Sequence, residues 1–453
     1  MKLPEFDYRN CLQEAVGNDG IAPSSLHERA TADVVSAFRR RVDSGEIGFP
    51  NLPDDQTTLH AIEQFCDGLR KKIDDVLLIG IGGSALGAYA LDVAIRGPHP
   101  VQTVGKKAAK PRLVVLDNVD PGPVVSALSQ LDPRRTAVCV IAKSGGTAET
   151  MGTFLIVREW MVKKLGRKAR ERIIAITDPQ KGDLLAIAKE EKYPLFFVPP
   201  NVGGRFSVFC PVGLVPAALI GLDTRKLLRG AEEANHVCWS DSPNGNPALA
   251  AALVHYALAK RGKNIEVVFA YSSYLWGAAF WYRQLWAESL GKRVSRTGQV
   301  VEAGQTPVAA LGVTDQHSQM QLYMEGPRDK MVTLWSVRKP RVDVKMPKSF
   351  PKIDSTGYLG GQSLGKLLDA ERVATESALT SAGRPNCRWT LPQVDESTLG
   401  AFFQMLEFQT AFAGELWGVN AFDQPGVELG KKLTYALMGR KGYSKDLLKA
   451  VAR

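Results

Sequence analysis

The stretch DDVLLIGIGGSALGAYALDVAI, residues 74–95, changes character in the middle. Its first half, DDVLLIGIGG, is a short apolar run closed by glycines, which reads as a buried strand and a sharp turn. Its second half, SALGAYALDVAI, carries small and apolar residues at helical spacing. Strand, glycine turn and helix in succession make half of a βαβ unit, and the same pattern recurs along the chain. PRLVVLDN (111–118), TAVCVIAKS (136–144), ERIIAITD (171–178) and PLFFVPP (194–200) read as strands. Between them lie the helical segments PGPVVSALSQL (121–131), TAETMGTFLIVREWMVKKLG (147–166) and KGDLLAIAKEE (181–191). Short apolar strands alternating with amphipathic helices predict a parallel sheet covered on both faces.

A helical bridge over about 208–260 leads to a second unit of similar make, beginning with the strand NIEVVFAYS (264–272) and including MVTLWSV (331–337). The first 50 residues read as helical and polar, and the chain beyond about 365 reads as helix-rich. The expected division is a helical N-terminal segment (1–50), a first α/β domain (51–215), a second (216–420) and a C-terminal helical arm (421–453). The chain has 453 residues, with 45% apolar and 23% charged, ample for two such cores.

No apolar run is long enough to span a membrane, and the N-terminus lacks an apolar signal core, so a cytoplasmic protein is expected. Cys11, Cys66, Cys139, Cys210, Cys238 and Cys387 lie far apart, without metal-ligand spacing. Cys139 reads as a small core residue. The formal net charge of +10 raises the question of nucleic acid. Its densest runs, 163–172 and 337–348, read as solvated helix ends and loops, and no nucleic-acid motif accompanies them.

Six segments carry candidate chemistry. GIGGSALG (80–87) places Gly83 and Ser84 at a strand-to-helix turn, where amides and the helix dipole favour an anion. A dinucleotide turn and simple tight packing remain open, although the GxGxxG register is broken at Ala85. AKSGGTAETM (142–151) offers Lys143, Ser144, Gly145 and Thr147, an inventory of donors almost without acceptors. It suits a phosphate dianion, and equally an ordinary N-capping turn with Thr147 as cap. NVGGRFSVFCPVGL (201–214) presents Arg205 after Gly203 and Gly204. RQLWAESLGKR (283–293) carries Gln284 and Glu288. Trp286 and Leu290 beside Glu288 would shield it and favour a general base, whereas pairing with Lys292 would make it an ordinary helix-end residue. His317 in VTDQHSQMQLYMEG (313–326) lies among polar residues, unlike His255 in its apolar helix. FDQPGVELGKKL (422–433) places Gln424 and Lys431 around a Pro-Gly turn, with Lys431 either a buried cation or a solvated one.

Taken in order, these blocks resemble the phosphoglucose isomerase family, from about residue 75 to 435. The resemblance implies two SIS-type three-layer αβα sandwich domains with parallel sheets, and helical segments at both ends. It implies interconversion of glucose 6-phosphate and fructose 6-phosphate, a step of glycolysis and gluconeogenesis, without metal or other cofactor. Ser84, Ser144 and Thr147 would hold the phosphate with Lys143 and the amides around Gly83 and Gly145. Glu288 would move the proton between C2 and C1. Arg205, beside Gly204, would stabilise the enediolate. His317 and Lys431 would open the ring, and Gln284 and Gln424 would contact the sugar. The family is homodimeric, with the histidine reaching across the interface; neither nucleic acid nor membrane is an expected partner. A dual phosphoglucose/phosphomannose isomerase and a non-catalytic sugar-phosphate sensor are the alternatives. Many bacterial members read SKSGTTTE at the phosphate loop, so Ala142 and Gly146 each lack a hydroxyl here. One lost neutral hydrogen bond costs about 0.5–1.5 kcal/mol, which would raise KM rather than abolish activity.

Overall fold

The computed structural model describes residues 2–26, 30–98 and 111–443; the last ten residues of the expected C-terminal arm lie outside the described part. Two five-stranded sheets organise the chain. The first runs, in spatial order, Arg112–Leu116, Asp75–Ile79, Thr136–Ala142, Ile173–Thr177 and Leu195–Phe197, and every pairing is parallel. The three strands Asp75–Ile79, Thr136–Ala142 and Ile173–Thr177 are buried at every position, as a sheet covered on both faces requires. Alternation along the strand divides them between two apolar clusters. Val76, Leu78, Ala137, Cys139 and Ile141 join the large central core. Leu77, Ile79, Val138, Val140 and Ala142 join a second cluster under the helix Ala148–Leu165. Cys139 is thus the core residue its surroundings suggested, and all six cysteines are buried.

The second sheet runs Glu5–Asp7, Asn386–Leu391, Lys330–Val337, Ile265–Ala270 and Thr306–Leu311. Its four longer strands are parallel, and Glu5–Asp7 pairs antiparallel on the edge. Three of these elements differ from the sequence expectation. The N-terminal segment, read as helical, contributes the edge strand Glu5–Asp7. The C-terminal third, read as helix-rich, contributes Asn386–Leu391. Thr306–Leu311 carries no strong strand pattern. In NCRWTL the apolar signal is interrupted by Arg388, which is balanced only by distant carboxylates: Glu376 at 2.6 Å and Asp7 at 3.3 Å. No short window contains those partners.

The helix Glu396–Leu416 lies in the middle of the molecule, buried from Thr398 to Gly414. Its Glu407 carboxyl, fully buried, is pushed well above the usual range by burial. No helix among the described residues is long and apolar enough to cross a membrane.

A buried polar cluster sits beneath the second sheet. His255 Nε2 lies 2.7 Å from Glu266 Oε1, and its Nδ1 lies 2.7 Å from the Ala251 carbonyl. Glu266 also accepts from the Tyr282 hydroxyl at 3.1 Å and from Thr333 Oγ1 at 3.0 Å. Both ring nitrogens face acceptors, which suits an imidazolium. Burial works against that charge, but the Glu266 carboxylate prevails and the His255 pKa is raised to about 9. Because this exceeds the ordinary value of 6.5, the pairing stabilises the fold fully below pH 6.5 and is lost as pH rises through 9. Urea unfolding at pH 6 and pH 9.5 is expected to show a loss on the order of 3 kcal/mol from this group. In His255→Gln that part of the dependence should vanish; an equal pH slope in both proteins would refute the charged pair.

Candidate active site

The carboxyl ends of Asp75–Ile79 and Thr136–Ala142 lie side by side, with Arg112–Leu116 on one flank and Ile173–Thr177 on the other. The chain winds outward in opposite directions from this point, where open α/β sheets hold their ligands. Both glycine-rich turns emerge here. After the first strand, Gly82–Ser84 forms one tight turn before the helix Leu86–Arg96. A Cβ on Gly83 would stand 2.2 Å from the Gly204 carbonyl oxygen, so the two loops touch backbone to backbone. After the second strand, Gly145 has φ of +69°, and a Cβ there would meet Gly182 Cα at 2.6 Å. Only glycine meets both demands.

Thr147 precedes the helix Ala148–Leu165 but makes no side-chain cap bond. Its hydroxyl instead lies 3.1 Å from that of exposed Ser144. The capping alternative therefore falls, and the first amides of an 18-residue helix remain available to an anion. Ala142 is 2% exposed and belongs to the apolar cluster below the loop. Its missing hydroxyl is therefore a core feature. Gly146, by contrast, is partly exposed.

Lys143 has a different task from the expected one. Its ammonium donates to the carbonyls of Pro200, at 2.9 Å, and Val202, at 2.6 Å. Burial lowers its pKa. The side chain thus ties the phosphate-type loop to the backbone just ahead of Gly203, Gly204 and Arg205.

Arg205 is 4% exposed and uses all three guanidinium nitrogens. Nε donates to Ser289 Oγ at 2.7 Å, and Nη1 to Gln424 Oε1 at 3.0 Å and Glu288 Oε2 at 3.5 Å. Nη2 donates to the carbonyls of Ala421 and, at 2.9 Å, Asp423. Burial lowers its pKa to about 10, against the pull of Glu288 and Asp423. Glu288 also accepts from Gln284 Nε2 at 3.2 Å, and its side chain is 36% exposed. Gln284 reaches the first glycine turn, since a Cβ on Gly82 would stand 2.6 Å from its Nε2. Gly83, Ser84, Gly204, Arg205, Gln284, Glu288 and Gln424 are therefore gathered in one place, with the 143–147 loop tied alongside.

The expected shielding of Glu288 by Trp286 is not found. Two positions apart on a helix, they face different ways; Trp286 is fully buried against Tyr282 and His255. Nor does Lys292 pair with the Glu288 carboxylate. Its ammonium donates to the backbone carbonyls of Glu288 and, at 2.9 Å, Ser289, closing the end of the helix Trp276–Leu290. Burial, then neighbouring Arg205, pushes the Lys292 pKa down to about 8. Ser289 and Lys292 join the site without a motif of their own, and their places one and four residues after a candidate base are the available signal.

Two expected residues stand apart. Lys431 is on the exposed helix Glu428–Leu437, with its ammonium 2.9 Å from Glu428, so it is not a buried cation in this structure. His317 is exposed at the end of a short turn, Thr314–His317, that follows the strand Thr306–Leu311. That strand ends with Leu311 beside Ala270, near where the returning helix begins at Trp276. Glu288 lies twelve residues down that helix, about 18 Å away at the ordinary rise. One chain therefore carries the imidazole and the carboxylate at opposite ends of its second sheet. A separate cavity of about 910 Å³ opens at the carboxyl ends of that sheet beside Ser272, Ser273 and Arg338. It contains none of the gathered residues.

A family model described as phosphoglucose isomerase matches residues 63–447. A glucose-6-phosphate isomerase of Carboxydothermus hydrogenoformans is 45% identical over 445 residues, spanning 97% of this chain and 95% of its own. One from Rubrobacter xylanophilus is 42% identical, spanning 97% of this chain and 98% of its own. A solved structure of a hypothetical protein from Thermus thermophilus aligns with TM-score 0.85 and 38% identity, covering 96% of this chain and all of that one. A glucose-6-phosphate isomerase structure from Chlamydia trachomatis shares the fold, with TM-score 0.75 and 24% identity, covering 88% of this chain and 76% of that one.

The tether formed by Lys143 is testable without substrate. Lys143→Met leaves the Pro200 and Val202 carbonyls without their charged donor, and should lower the unfolding free energy by about 2 kcal/mol in phosphate-free buffer. Unchanged stability there, with weakened phosphate binding, would return Lys143 to direct contact with the anion.

Proposed function

The chain belongs to the phosphoglucose isomerase family, and we propose that the opening between its two glycine-rich loops and the end of the helix Trp276–Leu290 carries out the reaction. The enzyme interconverts glucose 6-phosphate and fructose 6-phosphate. Ser84, Ser144 and Thr147, with the amides of the two turns, hold the phosphate and fix the distance of C1 and C2 from the helix end. Glu288 removes the proton from C2 and returns it to C1, and the reverse direction uses the same steps. Negative charge then grows on the sugar oxygens as the cis-enediolate forms. Arg205 faces that charge from a dry site and needs no rearrangement to do so. Gln284 and Gln424 hold the sugar hydroxyls. The observation that carries this reading is the contact of Arg205 with Glu288 at 3.5 Å, beside a loop packed against the Gly82–Ser84 turn.

His317 opens the sugar ring from a second copy of the chain. The separation of about 18 Å along the helix supports this, because its own Glu288 is out of reach. Lys431 assists at the ring oxygen when its exposed helix closes on bound sugar. The working enzyme is thus a homodimer, and we place it in the cytoplasm. The first α/β domain, 51–215, supplies the phosphate loops and the second, 216–420, the acid–base groups.

Isomerisation of fructose 6-phosphate, coupled to glucose-6-phosphate dehydrogenase, tests the assignment. Glu288→Gln should lower kcat by roughly 10²–10⁴ with KM changed only a few-fold; a variant that keeps full rate would end the proposal. Mixing His317→Ala with Glu288→Gln chains should restore part of the activity, since one site of each mixed dimer receives both groups. No recovery from demonstrated mixed dimers would rule out sharing of the histidine.

A further inference from the structure

Gly146 is a partly exposed position of the phosphate loop that lacks a hydroxyl, and a cation stands beside it. A Cβ built there would lie 3.7 Å and 3.9 Å from the two terminal nitrogens of Arg440, and 3.2 Å from Asp183 Oδ2. A threonine would carry two further atoms into the space that the guanidinium and carboxylate fill. The C-terminal segment is seated on the loop independently, through the Tyr435 hydroxyl donating to the Gly146 carbonyl at 3.4 Å. Arg440 is held in place by its neighbours. Its guanidinium lies 4.5 Å above the Tyr435 ring, and its amide donates to the Tyr435 carbonyl at 2.9 Å. Its ion pair with Asp183 is long, 3.7 Å, between side chains 43% and 68% exposed. A pair of that kind is weak and leaves most of the donor capacity of the guanidinium uncommitted.

We propose that Arg440 is a further substrate-binding residue that reaches past Gly146 to the phosphate of the sugar, providing charge-assisted donors where a side-chain hydroxyl is absent. The glycine is then the partner of the arginine, because the missing side chain leaves room for the guanidinium. A planar fork matches a phosphate dianion better than one hydroxyl does. The inference rests on the reading of 143–147 as the phosphate loop.

Inorganic phosphate separates the two claims. It is to be titrated calorimetrically and also used as an inhibitor of fructose 6-phosphate isomerisation. Arg440→Ala should raise both the KM for fructose 6-phosphate and the dissociation constant for phosphate about tenfold, with kcat within twofold. Arg440→Lys should recover most of that loss, and Asp183→Asn should tighten phosphate binding by freeing the guanidinium. Unchanged phosphate affinity in Arg440→Ala overturns the proposal. So does a loss of kcat at constant KM, which marks a structural prop. Should Arg440→Ala unfold early, the Asp183→Asn result decides, and weaker or unaltered binding there overturns it. A wild-type protein that binds phosphate through Arg440 yet isomerises nothing would sink the proposed reaction and leave this assignment standing.

Discussion

A guanidinium withdrawn from water must have its donors matched, or its burial costs several kcal/mol. The site depends on how Arg205 meets that demand. Its acceptors come from two places distant in the chain: Ser289 and Glu288 at the end of one helix, and the segment 421–424, through the Gln424 side chain and the carbonyls of Ala421 and Asp423. Arg205 itself follows a loop packed against the first glycine turn. One buried cation thus locks the loop packed on the first glycine turn to the end of the helix Trp276–Leu290 and to the segment 421–424. The same bonds orient the Glu288 carboxylate, so the proposed charge stabiliser and the proposed base are held as a unit.

The two sheets share a winding order but divide the work. The first carries at its carboxyl ends turns so close that a Cβ on Gly83 or Gly145 would collide with backbone. The second contributes the far end of a returning helix, carrying Glu288, while its own carboxyl end carries His317. The length of that helix keeps the two groups apart within one chain. In the proposed enzyme a second copy completes the arrangement, and the helix bearing Lys431 is exposed in the single chain.

Much of this was legible because it is local. Strand, glycine turn and helix recur within windows of about twenty residues, and the amide-rich turns have to fall at strand ends. Arg205, Glu288, Gln284 and Gln424 were recognisable from short motifs, and the fold gathers them. Side-chain direction was less legible. Lys143 looked like a phosphate ligand by composition, yet its ammonium turns to the Pro200 and Val202 carbonyls, 57 and 59 residues onward. Trp286 looked like a shield for Glu288 by proximity, yet helical geometry points it into the core. Asn386–Leu391 is hidden in the sequence because Arg388 breaks its apolar pattern, and the carboxylates that neutralise it lie on other elements.

The sequence by itself determined the class of fold and the two glycine-rich turns, and it singled out the carboxylate and guanidinium that the fold brings together, since each depends on residues adjacent in the chain. It also exposed positions in the loop, Ala142 and Gly146 among them, where hydroxyls are absent. Only the tertiary structure decided what those absences mean. Ala142 lies in the apolar cluster beneath the loop, where a hydroxyl has no anion to meet. Gly146 lies under Arg440, almost three hundred residues later. Whether a missing donor is a loss depends on which other group occupies the same few ångströms, and only the packed chain brings such groups together.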